Sequence, residues 1–205
     1  MSSLIMHVCI SNIIKQKYDY GYEFLYGSIM PDILKEAGED KNKVHYRTNH
    51  NYSLYEIDKF VKENLLKEKS EYNLGYLAHL IQDKFLTKYV NEKIKETNID
   101  GQEYITYLFD NNSLHKKQEF LDLIHNEYAI LDDYLIKKYD LNLDYLTKRI
   151  LRVNKEIKYD EIINEELKIH EIIPESELRI FNILSIEQYI RECISEYDRY
   201  LEEEL

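Results

Sequence analysis

The chain has 205 residues, enough to bury the core of one domain. With only 5 Gly and 2 Pro it holds too few turn formers for a sandwich or barrel of this length, so a mostly helical fold is expected. Its net charge of −12, with Lys and Glu closely interleaved and no basic stripe, argues against binding a nucleic-acid duplex unless a bound metal reverses the local field.

The apolar residues Leu4, Ile5, Val8, Cys9 and Ile13 recur with a helical period, predicting a first helix from Ser2 to about Lys17. His7 and Asn12 interrupt it and no basic segment precedes it, so it reads as a native helix rather than a signal peptide. Gly21 and Gly27 punctuate a short stretch leading into Gly27-Ser28-Ile29-Met30-Pro31-Asp32, and a polar loop with His45 and His50 spans 38–51. Ser53 with Glu56 reads as a capping box opening a helix to Lys69. The next helix covers roughly Glu71 to Glu96, with Leu74, Leu77, Ala78, Ile81 and Phe85 at three- and four-residue spacing, and Asp100-Gly101 breaks the pattern. A long helix from near Ser113 to Tyr139 follows, then helices around 144–155, 160–170 and 185–205, the last opened by Ser185 and Gln188. The whole is read as a single helical domain, with the chemistry-bearing part in 1–140 and helices completing the bundle in 141–205.

No run of about 18 apolar residues occurs, so no transmembrane segment is expected. Cys9 and Cys193 cannot form a disulfide framework and read as reduced thiols of a cytoplasmic protein. Phosphate-binding loops, dinucleotide-type glycine patterns and G-x-S-x-G elbows are absent from the sequence.

The chemistry concentrates in Gly75-Tyr76-Leu77-Ala78-His79-Leu80-Ile81-Gln82-Asp83. His79 and Asp83 are four residues apart on a helix, so both side chains project from one face, as two ligands of one cation do. Alone, such a pair more often makes a hydrogen bond near the surface. Each of the other candidates also has a plain reading: His7 as a packed core histidine, Asp32 as a helix N-cap, and His45 and His50 as exposed loop residues.

As an ordered set these pieces resemble the zinc-dependent phospholipase C family, whose relatives include the S1/P1-type nucleases. The resemblance rests on His7, Gly27-Ser28-Ile29-Met30-Pro31-Asp32, His45-Tyr46 and the Gly75–Asp83 segment, over the first half of the chain. It implies an all-α, multi-helix bundle like the phospholipase C and P1 nuclease fold, in line with the composition. It further implies that Asp32, His45, His79 and Asp83 hold one Zn2+ or similar divalent ion. His7 would bind a second, with Asp83 bridging and Asp32 as catalytic general base. The substrate would be a small phosphoester or a phospholipid head group.

The chain also departs from the family pattern. Secreted members use an N-terminal Trp ligand, and this chain contains no Trp. Tyr89 stands where the family places a further histidine. His115 and Glu119 have the H-x-x-x-E spacing of a third metal site, though an insertion around 97–112 would be needed; His125 with Glu127, Asp132 and Asp133 competes. One or two ions are therefore expected. The alternatives are a non-catalytic helical protein of the same fold, binding partners through its acidic C-terminal helices, and an HD-type phosphohydrolase. The absence of any His followed directly by Asp argues strongly against the latter.

Overall fold

The computed structural model describes residues 3–48, 51–100, 102–108, 113–169 and 177–203. The fold is all-α, with two small antiparallel sheets at its edge. Three helices form the centre: α1 (Leu4–Tyr18), α2 (Tyr22–Glu36) and α5 (Glu71–Asn91). Each buries a continuous stretch of chain rather than one stripe, as Leu4–Ser11, Phe24–Pro31 and Leu74–Asp83 show. A helix buried on every side must be surrounded by other elements. The surroundings come from α6 (Lys117–Lys138), α7 (Leu143–Val153), α8 (Asp160–Glu166) and α9 (Ile183–Glu203). One contiguous apolar core runs from Leu4 through to Tyr200.

Local chemistry sets the helix ends. Ser3 caps α1, its hydroxyl accepting the Met6 N–H at 3.0 Å, and Asp19 closes it in the left-handed region. Ser70 caps α5 in the same way by accepting from Asn73 N–H. The capping residue of α9 is Asn182, whose side chain accepts the Ser185 N–H at 2.9 Å, and not the expected Ser185–Gln188 box.

Gly27 is not punctuation: α2 runs straight through it and through Pro31. A Cβ at Gly27 would lie 2.0 Å from the Tyr72 carbonyl oxygen on α5, and one at Gly75 would lie 1.9 Å from the Phe24 carbonyl oxygen on α2. The two glycines let the α2 and α5 backbones touch, which a side chain on either would forbid.

Three predicted elements differ from those observed. The helix expected from Ser53 is replaced by a hairpin of β1 (Arg47–Thr48) and β2 (Asn51–Tyr55), pairing Arg47 with Tyr55. Only then come α4 (Ile57–Phe60) and a wider turn closed by Leu66 N–H on the Val61 carbonyl. The loop before the hairpin holds a short helix, α3 (Lys41–Val44), capped by Asp40. Helix α5 stops at Asn91 rather than near Glu96, and β3 (Ile94–Ile99), β4 (Gln102–Tyr107) and β5 (Leu114–Lys116) form an antiparallel sheet, β5 taking the start of the helix expected from Ser113. The cue is Asp100-Gly101 between Ile99 and Gln102, which pair across the hairpin; Asp-Gly is a strong two-residue hairpin signal. On β4, Ile105 and Tyr107 are buried while Thr106 between them is only half-buried, the period of a strand lying on a helical core. No helix among the described residues is long and apolar enough to cross a membrane.

Candidate metal centre

Five side chains converge where α1, α2 and α5 meet the end of α3. His7 comes from α1, Asp32 from α2, His45 from the C-terminal end of α3, and His79 with Asp83 from successive turns of α5. The α2–α5 glycine contact brings Asp32 to the His79–Asp83 face. His45, expected to be exposed, is buried, and Asp32 lies within α2 rather than capping a helix.

Each imidazole is held in the same way. His79 Nδ1–H donates to the Ser28 carbonyl at 2.9 Å, His45 Nδ1–H to the Lys41 carbonyl at 3.1 Å, and His7 Nδ1–H to Gln82 Oε1 at 3.0 Å. The Gln82 amide is itself oriented by donating to the Ser11 hydroxyl at 3.1 Å. An oxygen that can only accept fixes the proton on Nδ1, so a neutral ring turns its Nε2 lone pair inward.

The inward atoms face two carboxylates. Asp83 sets Oδ1 3.6 Å from His7 Nε2 and Oδ2 3.6 and 3.9 Å from the Nε2 atoms of His45 and His79. Asp32 sets Oδ1 3.2 Å from His45 Nε2 and Oδ2 3.7 Å from His7 Nε2. The rings of His7 and His79 stack at 3.9 Å, and those of His45 and His79 have centroids 5.2 Å apart. Two overlapping donor sets result, His7–Asp32–His79 and His45–His79–Asp83, each with its ligand atoms within 4.8 Å of one another.

The electrostatics suit a cation. Burial, with His7 adjoining, pushes His79 down to about 3, so its ring is neutral at physiological pH. Its Nε2 is buried without a hydrogen-bond partner, a lone pair aimed at carboxylate oxygens. Burial resists ionisation of Asp32, but the His45 hydrogen bond and the flanking His79 and His7 outweigh it and hold the carboxyl well below its usual range. Asp83 is likewise held low against its burial, with His7, His79 and His45 around it. The ionised carboxylates of half-buried Asp32 and buried Asp83 share one site with the His79 lone pair. A divalent ion would accept from all three, and imidazole nitrogen with carboxylate oxygen is a donor set that suits zinc. The residues present therefore fit the ion.

The other candidates do not join the centre. His115, on β5, stacks on Tyr107 at 4.3 Å and lies 3.6 Å from Glu119, whose carboxylate also accepts the Lys116 N–H. No third ligand converges on that pair among the described residues. His125 is exposed, and Asp133 pairs with Lys137 at 2.7 Å. Glu127 is buried and accepts the backbone N–H groups of Arg179, Ile180 and Phe181, a structural clamp. Asp132 accepts from the Ser3 hydroxyl. The Tyr89 hydroxyl donates to the Ile180 carbonyl, so it offers no substitute for a histidine ligand. His50 lies outside the described residues. Sequence reasoning missed Gln82 and the Ser28 and Lys41 carbonyls as anchors. Only Gln82 left a signal, as a polar residue in the otherwise apolar Leu80-Ile81 run.

The fold and site define an all-helical protein built around a buried histidine–carboxylate centre suited to divalent cations. The family described as zinc dependent phospholipase C matches residues 5–195, and the chain belongs to that family. No curated protein and no solved structure matches it.

Proposed function

We propose that the chain is a zinc-dependent phosphoester hydrolase in which His7, Asp32, His45, His79 and Asp83 hold one or two ions. The observation that carries this reading is the shared posture of three imidazoles, each locked at Nδ1 and turned at Nε2 toward the same two carboxylates. That is the arrangement by which second ligands orient a metal's histidines. Zinc in such a site lowers the pKa of water toward about 7 and withdraws charge from a phosphoryl oxygen.

Asp32 is the general base in this scheme. Its side chain is 20 % exposed, whereas those of the other four are nearly or wholly buried, so it lies on the side that water and substrate reach. Being ionised at neutral pH, it can accept a proton. A water oxygen bonds to phosphorus and the bond to the leaving alkoxy oxygen breaks. The water proton passes to Asp32, and the leaving oxygen takes one up from solvent. The cationic centre also explains how a chain of net charge −12 admits an anionic substrate. With Tyr89 committed to Ile180, no ligand set for a third ion is found among the described residues. The substrate is a small phosphoester or a phospholipid head group.

Elemental analysis of the purified chain, with a phosphodiester screen run with and without added zinc, tests the reading. One or two zinc ions per chain and zinc-dependent hydrolysis are expected, both lost in His79→Ala and Asp83→Asn. Stoichiometric zinc with no hydrolysis of any phosphoester would leave the non-catalytic reading standing.

A further inference from the structure

A cleft of about 320 Å3 lies beside the metal centre, between α5, β3 and α6. Its wall is apolar, built from Leu86, Val90, Ile94, Phe120 and Ile124. Two cations, Arg47 and Lys41, also line it. Both are tied to the centre. The Lys41 carbonyl anchors His45, and Arg47 Nη2 donates to Tyr55 Oη at 2.6 Å. The same Tyr55 hydroxyl lies 3.4 Å from Asp83 Oδ2 and 3.0 Å from Thr87 Oγ1. The guanidinium thus stands two hydrogen-bond lengths from a proposed metal ligand.

Arg47 is unusual for a buried arginine. Its residue is 8 % exposed, yet its partners are the neutral oxygens of Tyr55 and Thr87 and the face of the Tyr55 ring, 4.8 Å away. Its Nε is buried with no partner, and no carboxylate pairs with it among the described residues. Asp83 reaches the guanidinium only through the Tyr55 hydroxyl, and a planar fork with an unused buried donor matches a carboxylate or phosphate. The side chain of the neighbouring, half-buried Lys41 lines the same cleft and adds a second positive charge to it. The other charges on the cleft, Glu96 and Lys117, belong to β3 and α6, and Lys117 pairs with Glu103 at 2.6 Å.

We propose that this cleft is a second substrate subsite, in which Arg47 and Lys41 bind a further anionic group of the phosphoester and the apolar wall takes the hydrocarbon attached to it. This rests on the proposed hydrolase reading and narrows its substrate to phosphoesters whose non-scissile part carries a second negative charge. A quaternary-ammonium head group would meet like charge here.

The test uses the zinc-loaded full chain and two non-hydrolysable phosphonates of matched size, carboxyethylphosphonate and propylphosphonate, titrated by calorimetry. They differ in one carboxylate. The carboxylate-bearing probe is expected to bind about tenfold tighter or more, the size of one charge-assisted hydrogen bond. Arg47→Gln should erase the difference, and Arg47→Lys should restore part of it. Lys41→Gln, at a half-buried position, should cut it about threefold or more, and it serves if Arg47→Gln does not fold. Equal binding of the two probes, or a preference that survives both Gln variants, overturns the subsite. Should the zinc-loaded chain hydrolyse no phosphoester yet keep the carboxylate preference, the subsite stands and the enzymatic reading fails. Hydrolysis with equal probe binding has the opposite meaning.

Discussion

Gln82 Oε1 lies 3.0 Å from His7 Nδ1, while the next residue on α5, Asp83, approaches the other nitrogen of the same ring at 3.6 Å. Two adjacent residues therefore hold one imidazole from both ends. Gln82→Leu should keep the fold but free the ring, and zinc affinity should fall by about 10- to 100-fold. Competition with a chromophoric chelator measures this directly. Unchanged affinity would mean that the contact orients nothing.

Chelation should destabilise the protein, because an ion held by the native cluster of Asp32, Asp83 and the histidines, and not by the unfolded chain, adds its binding free energy to folding. At a free zinc concentration a hundredfold above Kd, binding adds about 2.7 kcal/mol. In a chain of this size that corresponds to a melting temperature roughly 5–10 °C higher. Thermal unfolding followed by circular dichroism, with chelator and then with zinc restored, should show the loss and its recovery.

The α2–α5 crossing has no room for a methyl group at either glycine. Gly27→Ala and Gly75→Ala should each cost about 3 kcal/mol or more, since the clash is with backbone rather than a movable side chain. Denaturant unfolding gives the stability. A variant that survives should also bind zinc less tightly, because Asp32 and His79 ride on the two helices being forced apart.

Asp132 makes stability depend on pH. Burial lifts its carboxyl to about 7, although the Ser3 hydroxyl and His7 oppose the rise. In the unfolded chain the group titrates near the ordinary value of about 3.9. Between these two values the native state holds a proton that the unfolded state has released. Its contribution is therefore complete below about pH 4 and is lost as pH rises through 7. Asp132→Asn cannot ionise. It should be more stable than the parent by about 4 kcal/mol at pH 8 and nearly equal to it at pH 4, measured by urea unfolding with chelator present so that His7 carries no ion.

The sequence showed the helical class, the long helices and the His79–Asp83 pair, because apolar period and i, i+4 spacing are local properties of the chain, whereas His7, Asp32 and His45 joined the set only through the family resemblance. It carried α5 on to Glu96, where β3 already begins, gave no strand to 97–107, and missed the hairpin of Arg47–Tyr55, whose pairing partners lie eight residues apart. It also took His115–Glu119 as a candidate pair on spacing alone, a pair that in space meets no third ligand among the described residues.

Candidate ligands for a cation could thus be named from the chain, two by helical spacing and three by resemblance to a family. Only tertiary structure decided that they meet. Two glycines bring backbones into contact, carbonyls of Ser28 and Lys41 set the tautomers of His79 and His45, and Arg47 is buried beside them without a counter-charge. These are relations between segments distant in sequence, and no periodicity along one segment encodes the distance or orientation of another.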